Sequence, residues 1–271
     1  MSKRARVLFI CAVVFLAGLG VALMHRIPQP QDYFNFADQR SWLGIPNFMD
    51  VISNVPFLLA GLGGLAIVFG RHSRASFDTR SERWAYAIFF LGATLTCFGS
   101  SYFHWNPNAW TLVWDRLPMT LAFMSIVAAI ICERISIRAG SLLLLPLLLI
   151  GAASVIGAAS VFLWYFSELR GSGDLRFYLC VQFFPVLVIL LALLMFEPKY
   201  TRGSDFLVVI GFYALAKILE ALDRPIFNLG HLVSGHTLKH LAAAIAAAWF
   251  ARMIKKRKPV PVFRTRMAKT A

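Results

Sequence analysis

Apolar runs recur along the whole chain, each close to the roughly 20 residues that a helix needs to cross a hydrocarbon layer about 30 Å thick. They cover 7–24, 51–70, 84–103, 110–132, 141–163, 175–196, 206–222 and 234–253. In lipid, a segment has to satisfy its own backbone N–H and C=O groups, which leaves the α-helix as the form for isolated runs of this length. The sequence therefore predicts an all-α integral membrane protein with eight spans. Composition agrees. The chain is 59% hydrophobic and 15% charged, against about 45–50% and about 25% in soluble domains. A globular protein with one packed core does not have that balance.

The first run, "VLFICAVVFLAGLGVALM" after "MSKRAR", has a cationic flank but no AxA-type cleavage site. It is expected to stay as an anchor rather than leave as a signal peptide. Orientation follows from Lys and Arg in the connections. With the N-terminus inside, nineteen of them fall on the cytoplasmic side, including Arg74 and eight in the tail from Arg252. Arg26, Arg40, Arg170, Arg176 and Arg224 fall outside. Both termini are then cytoplasmic. The net charge of +14 reads as topological anchoring against anionic lipid, with no nucleic acid implied. Cys11, Cys97, Cys132 and Cys180 lie within apolar runs without a CxxC pair, so no disulfide framework is expected.

Ionisable residues inside such runs are costly and point to function. Four runs carry them. "CFGSSYFHWNP" holds Ser100, Ser101 and His104, and "WTLVWDRLPM" holds Asp115 and Arg116. "AKILEALDRP" holds Lys217, Glu220 and Asp223, and "SGHTLKH" holds His236, Lys239 and His240. The predicted topology puts the three histidines and Asp115 at one external depth, although their runs are far apart in the chain. His236 and His240 are four residues apart and share a helix face, an arrangement that suits two imidazoles binding one ion. Ser100 has the same spacing to His104. Three neutral imidazoles with an open fourth position match a catalytic zinc centre. On that reading zinc activates a water, Asp115 is the candidate base, and Ser100 is a hydrogen-bond donor to the oxyanion.

Each residue also has a plainer reading. An isolated HxxxH is a weak signal, His104 could sit at the interface beside Trp105, and Asp115 could pair with Arg116 or Lys217. Lys239 lies off the shared histidine face and could pair with Glu220 or Asp223. Bis-histidine haem ligation fits less well, because the three histidines lie at one level and two share a helix.

The ordered set Ser100-x3-His104, Asp115 eleven residues later, and His236-x3-His240 in the last run resembles the alkaline ceramidase family. That family belongs to a wider group of seven-span membrane hydrolases that includes adiponectin-receptor-like proteins. "FADQRSWLGIPNFMDVISNVPFLLAGLGGL" and "AKILEALDRPIFNLGHLVSGHTLKH" look like its bacterial branch, and the resemblance covers 30–253. It implies a seven-helix hydrolase domain at 31–253. The N-terminal anchor segment would be 1–30, and the basic cytoplasmic tail 254–271. It implies zinc on His104, His236 and His240, with Asp115 and Ser100 catalytic; the bacterial inner membrane is the expected location, and the charge topology above puts the active site near the outer leaflet. The implied reaction is amide hydrolysis of a ceramide-like membrane lipid, with no protein partner identifiable.

Eukaryotic relatives carry an acidic calcium site before the first core span. The matching region here offers Asp32, Asp38, Asn47 and Asp50, short of the 6–8 oxygen ligands calcium takes, and loop or helix-start chemistry explains these residues as well. Asn54 is read as a cap or a cross-link between helices. Glu220 and Asp223 could accept from a ligating imidazole or neutralise nearby cations. A metal-containing membrane receptor or lipid-binding protein without hydrolase activity is the alternative function.

Overall fold

The computed structural model describes residues 1–71, 76–144 and 152–261. Among them the chain forms helices α1 (Lys3–Leu23), α2 (Phe48–Ile52), α3 (Val55–Phe69), α4 (Arg80–Trp105), α5 (Ala109–Arg134) and α6 (Ile137–Leu144). It continues with α7 (Ala152–Leu169), α8 (Arg176–Met195), α9 (Asp205–Ala221), α10 (Asp223–Asn228) and α11 (Gly235–Lys256), with one 3-10 turn at Gln31–Phe34. The helix starts follow capping chemistry. The Thr79 side chain accepts from the Glu82 N–H, Asn108 forms a capping box with Thr111, and Ser234 accepts from the Thr237 N–H.

Among the described residues, five helical segments are long and apolar enough to cross a membrane: Lys3–Leu23, Phe48–Phe69, Arg80–Trp105, Ala109–Ile135 and Arg176–Met195, with Val155–Leu169 a shorter apolar helix. The expectation of eight differs from this at three places. The run 141–163 is divided between α6 and α7, and its middle lies outside the described residues. Helix α9 has 17 residues, and α11 carries Lys239 at one end and Arg252, Lys255 and Lys256 at the other. Large apolar side chains are exposed all around the bundle, among them Leu8, Phe15, Leu59, Phe98 and Leu194. Exposed tryptophans near helix ends (Trp84, Trp105, Trp110, Trp114) match the aromatic belts of membrane proteins.

Helices α4 and α5 form the central antiparallel pair. Helix α3 packs on α4 and α11, α9 chiefly on α11, and α7 and α8 on α5. Helix α1 lies on the outside against α8, tied at its ends by Arg6 donating to the Met195 carbonyl and Arg176 donating to those of Ala22 and Met24. One end of the bundle gathers the start of α4, the ends of α5 and α8, and the residues after α11. There Lys199 pairs with Asp78 and Glu82, and Arg257 pairs with Glu133. The tail was expected to face anionic lipid throughout. Instead Arg257 is 3% exposed, donates to the Ser76 carbonyl and the Tyr86 hydroxyl, and lies over the Tyr200 ring. Carboxylate, carbonyl and ring partners compensate its burial better than lipid head groups would from outside. Arg74, Arg264, Arg266 and Lys269 of the charge count lie outside the described residues. The opposite end holds the histidines.

Candidate metal centre and cavity

His104 falls in the last turn of α4, and His236 and His240 fall in the first turns of α11. All three are buried, at 1%, 4% and 5% exposure. The Nε2 of His104 lies 3.3 Å from the Nε2 of His236 and 3.3 Å from that of His240, and the three ligand atoms lie within 4.8 Å of one another. Ligands about 2.0–2.1 Å from a tetrahedral ion are about 3.3–3.4 Å apart, so the spacing is that of a metal centre. Three neutral imidazole nitrogens facing one point set at least one lone pair against another, or one proton against another. A cation resolves the conflict. The group could hold a metal ion, and its all-imidazole chemistry suits zinc or another first-row transition metal.

The histidines are held by Ser53, Phe36 and Asn47, none of them on α4 or α11. Ser53 and Asn54 interrupt the regular helix between α2 and α3, and the Ser53 Oγ lies 2.7 Å from His240 Nδ1. The Ser53 hydroxyl donates to the Asp50 carbonyl, so the imidazole Nδ1–H donates to Ser53 and His240 Nε2 is left as the ligand atom. Phe36 sets its ring against those of His104 and His236 at 4.6 and 4.9 Å. The Asn47 amide donates to the His104 carbonyl.

The start of α11 is fixed twice over by carboxylates, where a helix N-terminus favours negative charge. Asp50 Oδ1 accepts from Thr237 Oγ1 at 2.8 Å and from Ser234 Oγ at 3.3 Å, and Asp223 Oδ1 accepts from the His236 N–H at 2.8 Å. A Cβ at Gly235 would come within 2.2 Å of the Leu219 carbonyl oxygen, so only glycine lets α11 start this close to α9.

Asp115 is brought to the same end by the contact of α4 with α5. Pro118 has no N–H, so the Trp114 carbonyl four residues earlier loses its helical donor. Gly99 packs against that carbonyl so closely that a Cβ would lie 2.1 Å from its oxygen. One residue on, the Ser100 hydroxyl interacts with the Asp115 carboxyl. Both are buried, and with His240 they line a cavity of about 330 Å³. From there the cavity runs between α5 and α8 on one side and α9 and α11 on the other, past Ile126, Ile189, Phe206 and Phe250. Asp115 to Ile126 is eleven residues, or about 16 Å of helix. A polar pocket at one end with a long apolar channel behind it is a shape for an amphiphile.

The structure thus brings together His104, His236 and His240, and sets Ser100 against Asp115 on the cavity that His240 lines. Asp115 has no ion-pair partner among the described residues; Arg116 donates to Gln29 instead. Glu220 and Asp223 do not accept from a histidine ring. Glu220 pairs with Lys217 and with Lys239, the latter at 2.7 Å, and accepts from the Tyr33 hydroxyl. Burial, with Glu220 beside it, holds the Tyr33 phenol well above its ordinary pKa, so it stays a neutral donor. Asp223 accepts from the His236 backbone N–H with one oxygen and from the Ala37 N–H with the other.

The residues considered for calcium are used separately. Asp38 pairs with Arg40, Asp50 anchors α11, Asn47 holds His104, and Asp32 lies in the 3-10 turn. Among the described residues the three histidines are the one group of three or more His, Cys, Asp or Glu whose ligand atoms converge. Asn54 packs locally, donating to the Asp50 carbonyl. Ser53 and Phe36 were not found from sequence, and Asp50 was named only as a possible calcium ligand. Ser53 and Asp50 sit within "NFMDVISNVPF", whose polar residues inside an apolar run were a signal, but one that names no partner.

Fold and site together describe an all-helical chain with membrane-length helices and a buried trihistidine group at the head of an apolar cavity. No protein-family model matches the chain, and no curated protein sequence matches it.

Proposed function

We propose that the chain is an integral-membrane, zinc-dependent hydrolase that cleaves the amide bond of a ceramide-like lipid. The observation that carries this reading is the opening of the Ser100–Asp115 pair and His240 onto an amphiphile-shaped cavity, beside three Nε2 atoms at metal-site spacing. When bound, the ion supplies a Lewis acid and a source of nucleophilic water at neutral pH. His104, His236 and His240 hold it, and Ser53 fixes the His240 tautomer. Asp115, which forms no ion pair among the described residues, accepts the proton of the attacking water and returns it to the departing amine. Ser100 donates from its hydroxyl to the oxygen that becomes negative as the carbonyl turns tetrahedral. The channel takes the acyl chain and excludes bulk water from the reacting atoms.

Eight spans, cytoplasmic termini and a centre near the outer leaflet of a bacterial inner membrane complete the proposal. The excess of Lys and Arg at the Arg257 end of the bundle, away from the histidines, supports that orientation. The test is metal analysis with lipid hydrolysis on purified protein. Wild type should carry one zinc per chain and release fatty acid from ceramide. Asp115→Asn should keep the zinc and lose turnover, while His236→Ala should lose both. Zinc-free wild type, or a His236→Ala protein with full zinc and activity, would overturn it.

A further inference from the structure

Arg116 stands in the wall of the same cavity, one residue after Asp115, and the hydrolytic reading gives it no task. Its side chain is 4% exposed. The guanidinium lies over the rings of Trp164 at 4.0 Å and Tyr178 at 4.3 Å. Nη2 donates to the Gln29 side-chain oxygen at 2.6 Å, and Nη1 has no hydrogen-bond partner. Among the described residues no carboxylate forms an ion pair with it. Arg257, equally buried, has Glu133. Rings and one amide offset part of the cost of burying a cation, but an uncompensated charge in a low-dielectric interior remains expensive.

Asp115 in the same wall acts on Arg116 through space, but no carboxylate of the wall forms an ion pair with it. The wall's acidic and basic side chains besides His240 are Asp115, Arg116, Lys217, Glu220 and Lys239. Glu220 is shared by both lysines, and Asp115 faces Ser100. Neutral imidazoles add nothing negative, and a bound metal ion would add positive charge. A planar guanidinium with an unpartnered Nη1, on a residue that lines the cavity, matches the oxygens of a carboxylate, phosphate or sulfonate.

We propose that Arg116 is an oxyanion receptor, and that the cavity takes acyl amphiphiles bearing a negative oxygen group in preference to neutral ones. The inference deepens the lipid-amide reading by naming the charge of the ligand; it depends on that reading for turnover but not for binding. The oxyanion could belong to the head group of an intact N-acyl lipid or to the carboxylate of a released fatty acid.

Equilibrium binding of tritiated amphiphiles to metal-loaded, full-length protein in a neutral detergent tests this, with N-oleoylglycine and oleate set against N-oleoylethanolamine and oleyl alcohol. Wild type is expected to hold at least one of the anionic pair about 10- to 100-fold more tightly than the neutral pair, the range of a charged hydrogen-bonded contact. Tight N-oleoylglycine marks a head-group subsite, and tight oleate alone marks a product subsite. Arg116→Gln should abolish the preference, and Arg116→Lys should keep part of it if the glutamine variant does not fold. Equal affinity of wild type for charged and neutral amphiphiles overturns the proposal, as does a preference that persists in Arg116→Gln at equal metal content. If the preference holds and no lipid amide is cleaved, the hydrolase reading falls while the oxyanion site stands.

Discussion

The hydroxyl of Ser53, between α2 and α3, lies 2.7 Å from Nδ1 of His240, and it fixes the tautomer of one of the three histidines. Such outer partners of metal ligands typically contribute about 10- to 100-fold in metal affinity or activity. Ser53→Ala should therefore raise the zinc dissociation constant by about that factor with the helical content unchanged, read by competition against a fluorescent chelator. Ser53→Thr keeps the hydroxyl and should keep most of the affinity. Equal affinity in Ser53→Ala and wild type would mean that the hydrogen bond does not support the ligand.

Metal removal should show which ions the site accepts. Three imidazoles suit zinc, cobalt or copper, whereas magnesium and calcium require oxygen ligands. A ligand at 100 times its Kd stabilises the folded state by about 2.7 kcal/mol. Chelation of the purified protein should lower its thermal midpoint, and zinc or cobalt should restore it. Calcium should not, since Asp38 and Asp50 are already committed to Arg40 and to the start of α11. Restoration by calcium alone would reverse the assignment.

The contact between Gly99 and the Trp114 carbonyl predicts a steric dependence. A methyl at 99 cannot fit 2.1 Å from that oxygen, so Gly99→Ala should push α4 from α5 and separate Ser100 from Asp115. Overpacking of this kind typically costs about 1–3 kcal/mol, and turnover should fall more than zinc content. Gly63→Ala is the control, because nothing lies within 4 Å of its added Cβ. Thermal unfolding and fatty-acid release measured on both variants decide the matter, and matching behaviour would count against the close-contact account.

What could be read from the sequence divides along the lines of local and long-range interactions. Apolar run length and cap residues act within a segment, so the bounds expected for 84–103, 110–132, 175–196 and 206–222 fall within a few residues of α4, α5, α8 and α9. The spacing of His236 and His240 was legible for the same reason, and His104 joined them because one depth in a bilayer is a strong constraint. Ser53 was not legible, since its value depends on a break at 53–54 that turns it toward a residue 187 positions away. Glu220 was open between two roles that use the same chemistry; only the approach of Lys217 and Lys239 separates them. Arg257 was misread because cationic tails usually meet lipid, and nothing local to "KKRKP" shows that Glu133 and Tyr86 wait for one of them.

That cluster gives the last prediction, which concerns the end of the bundle remote from the histidines. Removing one partner of a buried ion pair typically costs about 3–5 kcal/mol, so Arg257→Ala should strongly lower thermal stability while leaving the zinc stoichiometry intact. Lys199 adds a dependence on pH. Burial alone would lower its pKa, but the Asp78 and Glu82 carboxylates outweigh burial and hold it above its ordinary value. A raised lysine contributes stability that is complete below the unfolded pKa of about 10.4 and is lost as pH rises through the higher folded value. Thermal midpoints should therefore show no Lys199-dependent change between pH 7 and 9, with the loss setting in above about pH 10. Lys199→Met should remove that alkaline component and lower the midpoint at neutral pH, because Glu82, 0% exposed, then lacks its cation. A Lys199→Met protein as stable as wild type at neutral pH would show that the pair holds nothing together.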